Sequence, residues 1–177
     1  DEAESWVETY LTEKPFSSAA LYASGYIFFL KEDIKKAEEL FKKALEQDDT
    51  NALALNNLGA IRLSKKSYTQ AINLVRKAIQ INPKEPMFFK NLETIYKQMG
   101  NPSLIITDYN FYLKEKEDLD LIRGYGMAVG RNMRQASFRL YNKGYLEKTI
   151  LKWVEIEKIY KEIDHQSGLV SVYFSLG

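Results

Sequence analysis

The feature that most restricts what this chain can fold into is an internal ruler of 34 residues. Ala37 and Ala71 stand 34 apart, as do Ala44 and Ala78, and Gly25 and Gly59. Ala3 lies one interval before Ala37, and Pro15 lies two intervals before Pro83. Self-similarity at a fixed period of this length marks a stack of one supersecondary unit, in which each unit buries its apolar face only against its neighbours.

One period shows what the unit is. In residues 52–85, two amphipathic stretches flank a polar break at residues 64–67. Leu55, Leu58, Ile61 and Arg62 recur at helical spacing, and Tyr68, Ala71, Ile72, Val75, Ala78 and Ile79 do the same. Pro83 closes the second stretch, since it lacks the N–H that a continuing helix needs. Residues 18–51 repeat the layout, with Leu21, Gly25 and Phe28 on a first helix and Ile34, Ala37, Phe41 and Ala44 on a second. Small residues fall where two helix axes must come close, and large ones where a gap needs filling. A glycine inside a helix costs about 1 kcal/mol relative to alanine, so Gly25 and Gly59 require a packing reason.

These hairpins resemble the tetratricopeptide repeat family. The resemblance is carried by Leu55, Leu58, Gly59, Tyr68, Ala71, Ala78 and Pro83 in one unit, and by Leu21, Gly25, Phe28, Ala37, Phe41 and Ala44 in the other. It implies an all-α fold, an α-solenoid in which antiparallel helix hairpins stack as a right-handed superhelix around a concave wall made mainly of first helices. The whole of residues 1–177 is expected to be one such segment. Residues 86–119 are a degenerate repeat, with Glu93 in a small-residue position and Ile105 and Tyr112 where alanines belong. Residues 120–163 form a longer repeat, its first helix running from about Leu119 to Tyr141 and its second from Leu146 to Ile163, with Ile150, Trp153, Ile156, Ile159 and Tyr160 inward.

Both ends are expected to be half-repeats. Residues 1–17 hold a second helix, with Ala3, Val7 and Tyr10 inward, and residues 164–177 hold a first helix in which Leu176 and Gly177 echo Leu58 and Gly59. That pattern points to a piece of a longer array, and to end-to-end self-association through the half-repeats.

Composition narrows the chemistry. Twenty-five Lys and Arg against 24 Asp and Glu leave no global basic field, so neither nucleic acid nor an anionic surface is expected from bulk charge. No apolar run of about 20 residues exists to insert in a bilayer. Cysteine is absent and His165 is the single histidine, which leaves no zinc or thiolate site and no nucleophile–base pair. His165 is expected to face solvent in an interhelical loop. No catalytic residue, metal ligand or cofactor is therefore assigned, and the chain is not expected to be an enzyme.

Two motifs have bland readings. The stretch GYGMAVG, residues 124–130, groups its glycines as a nucleotide loop does, but its third glycine is displaced by one and no strand precedes it. These glycines are expected to thin a long helix for a close crossing. Lys35, Lys36, Lys42, Lys43, Lys65 and Lys66 alternate with Glu38, Glu39 and Glu46, as on a solvated face with ion pairs. Arg131 and Arg134 read as plain surface, the alternative being an acidic partner met on one face.

The resemblance places the inner wall on Tyr22, Tyr26 and Phe29 in one unit, Asn56, Ala60 and Leu63 in the next, and Lys90, Thr94 and Lys97 in the third. Leu21, Gly25 and Phe28 already fill the core of the first helix, so the three aromatics read as ligand-facing. Some relatives grip a terminal carboxylate through Lys and Asn on the first helix, where Tyr22 and Tyr26 stand here, so that clamp is broken. The expected function is a protein-interaction scaffold whose groove binds a peptide or protein with apolar or aromatic anchors, and an acidic end toward Lys90 and Lys97. The alternatives are a ligand-sensing segment of a larger signalling protein or enzyme, or a secretion-type chaperone.

Overall fold

The computed structural model describes Ser5, Thr9 and residues 17–115 and 118–176. The helix expected at residues 2–12, with Ala3, Val7 and Tyr10, therefore lies outside the described residues, as does Gly177. Among the described residues the secondary structure is helical throughout: α1 (Ser18–Leu30), α2 (Ile34–Gln47), α3 (Ala52–Ser64), α4 (Tyr68–Ile81), α5 (Pro86–Gln98), α6 (Leu104–Glu115), α7 (Leu119–Asn142), α8 (Leu146–Glu162) and α9 (Gln166–Leu176).

The ruler is written in the backbone as well as in the side chains. Left-handed φ angles occur at Glu32 (63°), Lys66 (56°) and Gly100 (83°), three positions 34 residues apart. At each the next N–H reaches back five residues, from Asp33 to the Phe28 carbonyl, Ser67 to Arg62 and Asn101 to Tyr96, which satisfies the last carbonyls of the helix. A non-glycine residue in this conformation costs roughly 1 kcal/mol, so Glu32 and Lys66 hold it against their own preference while Gly100 holds it freely. The turn thus keeps its period through the third hairpin, where the side-chain pattern has already decayed. Helix starts are fixed by caps: Asp33 Oδ1 accepts from the Lys36 N–H at 3.1 Å, and Asn51 Oδ1 from Ala54 at 3.0 Å.

The helices divide into two compact units, one reaching to Asn91 and the other beginning at Leu92. In the first, α1 packs on α2, α2 on α3, and α3 on α4. Its core joins Leu21, Ala37, Phe41, Ala44, Ala54, Leu58 and Ile61. The packing reason for the glycines is visible here. A Cβ on Gly25 would lie 2.8 Å from the Phe41 ring, and one on Gly59 would lie 2.6 Å from a Val75 methyl.

In the second unit, α6 packs on α7, α7 on α8, and α8 on α9. Gly126 and Gly130 thin α7 as expected: a Cβ on Gly126 would lie 2.8 Å from Ile163, and one on Gly130 would collide with Tyr160. Ile105 and Tyr112, in alanine positions, are taken up differently. Ile105 is fully buried, and Tyr112 stacks on Tyr125 at 4.9 Å. Glu93 binds Arg131 through Nε at 3.1 Å and through Nη2. Two inward assignments on α8 need correction. Ile150 is 53% exposed and Ile159 is half-buried, while Trp153, Ile156 and Tyr160 form the buried stripe. The stripe turns because Tyr160 must reach Gly130 and Trp153 takes the edge of the Phe138 ring at 5.8 Å.

Candidate binding groove

The candidate site begins with the register of the first helices. The Asn51 side-chain amide donates to Ser18 Oγ at 2.9 Å, Asn57 Nδ2 to Tyr22 Oη at 3.4 Å, and Asn91 Nδ2 to Asn56 Oδ1 at 2.8 Å. These bonds span 33 to 35 residues, one repeat each, so they tie equivalent faces of α1, α3 and the start of α5 together within the first unit. Asn56 also donates to Asn57 at 3.3 Å, which completes a relay from Asn91 through Asn56 and Asn57 to Tyr22.

Along α1, Tyr22, Tyr26 and Phe29 make a ladder of rings. Tyr22 stacks on Tyr26 at 6.1 Å with an interplanar angle of 20°, and Tyr26 on Phe29 at 6.5 Å and 14°. The i, i+4, i+7 spacing puts all three on one helical stripe. Their environments differ. Tyr22 and Phe29 also reach the core ring of Phe41, at 5.7 and 6.4 Å, and both are half-buried, whereas Tyr26 is 41% exposed. Two of the three aromatics thus belong partly to the core that Leu21, Gly25 and Phe28 were expected to fill alone. Burial pushes the Tyr22 phenol above its ordinary pKa, partly offset by the bond from Asn57, so it stays protonated.

The remaining wall residues are unequal too. Asn56 is 4% exposed, its amide engaged by Asn57 and Asn91, so its role is to align neighbouring helices. Ala60 and Leu63 are half-buried on α3, and Lys90 is exposed on α5. Thr94 and Lys97 fall one and two turns further along α5, on residues of the second unit, and are exposed. Tyr22, Tyr26, Phe29, Asn56, Ala60, Leu63 and Lys90 thus lie in the first unit, and Thr94 and Lys97 in the other.

The charged clusters have internal partners. Glu38 receives Arg62 at 2.9 Å, Lys42 at 2.8 Å and Lys65 at 2.6 Å, so its carboxyl is held well below the usual carboxylate range, Arg62 contributing most. Arg131 is bound by Glu93, and Arg134 donates to Tyr160 Oη at 2.9 Å. Those bonds correct the plain-surface reading of these arginines and give them partners within the chain. His165 is corrected as well: it packs edge-on against Tyr160 at 5.0 Å and is half-buried, which with nearby Arg134 and Arg131 lowers its pKa.

Sequence reasoning missed two features of the second unit. One is a cavity of about 310 Å³ floored by Ile106, Leu113, Val129, Met133 and Ile159 and edged by Lys158. The other is an exposed apolar stripe on α8, signalled by the four-residue spacing of Leu146, Ile150 and Val154. Among the described residues no group of three acidic or histidine side chains is placed to hold a metal ion, and no helix is long and apolar enough to cross a membrane.

Comparison with known proteins places this geometry. Residues 28–94 match the tetratricopeptide repeat model. The type IV pilus assembly protein PilF of Pseudomonas aeruginosa is 33% identical over 91 residues, which are 50% of this chain and 36% of that protein. The photosystem I assembly protein Ycf3 of Prochlorococcus marinus (strain MIT 9215) is 27% identical over 148 residues, 82% of this chain and 78% of that one. The chain thus spans about a third of the length of the pilus protein. Among solved structures, YrrB, a tetratricopeptide repeat protein with an unusual peptide-binding site, superposes with a TM-score of 0.55 at 15% identity, over 94% of this chain and 88% of YrrB. At that identity the likeness speaks to the fold.

Proposed function

We propose that this chain, which carries tetratricopeptide repeats, is a non-catalytic scaffold that holds an extended segment of a partner protein along its first helices. The observation that carries this reading is the ring ladder of α1, in which Tyr26 lies exposed between two rings already braced on Phe41. A rigid aromatic platform of this kind loses little conformational freedom on binding and offers a large apolar contact, which is why such residues dominate interface energetics. Tyr22, Tyr26 and Phe29 would take an apolar or aromatic anchor, and Ala60 and Leu63 would line its path. Asn56 would keep the wall in register from behind, and Lys90 would favour an acidic residue of the partner. Thr94 and Lys97 enter the proposal as polar contacts of the second unit. The assembly roles in the names of the pilus and photosystem relatives fit a carrier of partner segments.

The test is a selection from a random-peptide display library on the purified chain. Peptides with aromatic or apolar anchors should be enriched, and Tyr26→Ala should weaken the winners by about tenfold or more while helix content is unchanged. Phe29→Ala is a poorer probe, because that ring also supports Phe41. Unaltered affinity in the Tyr26 variant would sink the groove reading.

We also propose self-association through α9, where Phe174 is 88% exposed and Tyr173 50% exposed. Sedimentation at rising concentration should reveal a larger species that Phe174→Asp removes; a monomer at every concentration rejects it.

A further inference from the structure

A long run of large apolar side chains is left in water where α7 turns into α8. Phe138, Tyr141, Tyr145, Leu146, Ile150 and Val154 are each between 48% and 58% exposed, all within 17 residues. Leu146, Ile150 and Val154 recur every four residues and so form one stripe of α8. Phe138 meets Trp153, the buried neighbour of Val154, edge-on, so the α7 side chains border that stripe.

Helix length explains why nothing within the second unit covers them. The 24 residues of α7 extend about 36 Å at 1.5 Å per residue, whereas the 12 residues of α6 extend about 18 Å. Because α6 leads into the start of α7, it flanks only the first half. Arg131 to Glu93, and Asn132 to the Pro102 carbonyl at 3.4 Å, tie the middle of α7 to earlier segments. At the other side α9 has 11 residues and begins beside the end of α8, where Tyr173 donates to Glu157 at 3.2 Å. The far half of α7, the Lys143–Gly144 turn and the first turns of α8 therefore run past the length of α6, and we refer to them as the tip.

The charge of that tip differs from the charge of the chain. Residues 138–154 contain Arg139, Lys143, Lys148 and Lys152 against Glu147; Lys152 is paired with Glu155 at 2.6 Å, and Arg139, Lys143 and Lys148 still outnumber Glu147, although the whole chain carries a net charge of only +1. Lys148 lies 5.2 Å over the Tyr145 ring, so cation and aromatic are already side by side. Gly144 (φ 79°) has open space around it.

We propose that the α7–α8 tip adsorbs on an anionic lipid surface. Exposed rings and aliphatic side chains beside lysines suit a bilayer interface, which needs no cleft. Tyrosine rings and aliphatic side chains settle at the boundary of headgroup and acyl chain, while lysine stems carry their ammonium groups up to the phosphates. The tip shares no residue with the ring ladder of α1, so the two can be altered separately.

The experiment is sedimentation of the purified chain with vesicles of phosphatidylcholine, alone or mixed with phosphatidylglycerol. The chain should bind the mixed vesicles at least about tenfold more tightly than the neutral ones, and added salt should weaken binding. Lys143→Glu with Lys148→Glu should lose about tenfold or more, and Leu146→Asp with Ile150→Asp should lose a comparable factor. All four positions are exposed, so helix content should be unaltered. Equal binding to both vesicle types, no binding to either, or variants that bind as the parent does would each overturn the proposal. So would a dimer in the absence of vesicles that Leu146→Asp with Ile150→Asp dissolves, because a second copy would then occupy the patch.

Discussion

The largest side chains wholly removed from water are Phe41, Phe88 and Phe89 in the first unit and Tyr96, Tyr125 and Tyr160 in the second. A phenylalanine core asks only for shape: Phe41 sits where Gly25 leaves room, surrounded by alanines and leucines. A tyrosine core asks for acceptors and donors as well, because a buried hydroxyl without a partner carries a desolvation penalty. Tyr96 donates to Asp108 at 2.6 Å, Tyr109 donates to Glu162 at 2.8 Å, and Tyr160 accepts from Arg134 at 2.9 Å. The largest buried rings are thus held by repeat-encoded volume alone in the first unit, whereas Tyr96 and Tyr160 in the second also need individually placed polar partners. Volume encoded at a fixed period survives as a visible ruler, and one-off polar pairs do not.

That contrast can be broken in several ways. Phe41→Ala should have the largest effect, destabilising by about 4 kcal/mol. Hydrogen exchange should accelerate in α1 to α3 and change little in α7 and α8; equal acceleration in both would mean that the units unfold as one. Gly130→Leu should do the converse, costing about 3 kcal/mol through collision with Tyr160, with exchange accelerated in α7 and α8. Melting and exchange together read both effects.

Tyr109→Phe should cost about 1 kcal/mol, since it removes the bond to Glu162 with little change of volume. Chemical denaturation of the parent and the variant measures it, and a neutral result would show that the hydroxyls of the second unit are passengers. The smallest effect is expected at Glu38→Gln, below about 1 kcal/mol at neutral pH because the pairs are near the surface. Arg62, Lys42 and Lys65 hold the Glu38 carboxyl below its ordinary value of 4.5, so the folded state binds its proton more weakly than the unfolded state. Its stabilisation is present above that value and fades as pH falls beneath it. The gap between parent and variant should therefore close on acidification; a gap that widens there would refute the assignment.

The candidate groove was legible in outline and blurred in detail. The period placed Tyr22, Tyr26 and Phe29 on one stripe, and ring distances agree with that stripe. Periodicity cannot say that Tyr22 and Phe29 lean on Phe41 while Tyr26 faces water, since adjacent helical stripes differ by a small rotation and a ring spans both. For the same reason Ile150 was assigned inward when the buried stripe runs through Trp153, Ile156 and Tyr160. Asn56 falls on the expected inner wall, yet its amide donates to Asn57 and its carbonyl accepts from Asn91.

What the sequence by itself determined was local and repetitive: which segments are helical, where they turn, and that two hairpins share one packing scheme. Those properties depend on residues within a turn or a single period of one another, and 34-residue spacing records them. The tertiary structure alone decided the rest. It gave Glu93 to Arg131, turned Arg134 toward Tyr160, packed His165 on the same ring, and left the apolar side chains of the α7–α8 tip exposed. Each depends on groups brought together by helix lengths and crossing distances, and those follow from how side-chain volumes fit across an interface, which no one-dimensional pattern contains.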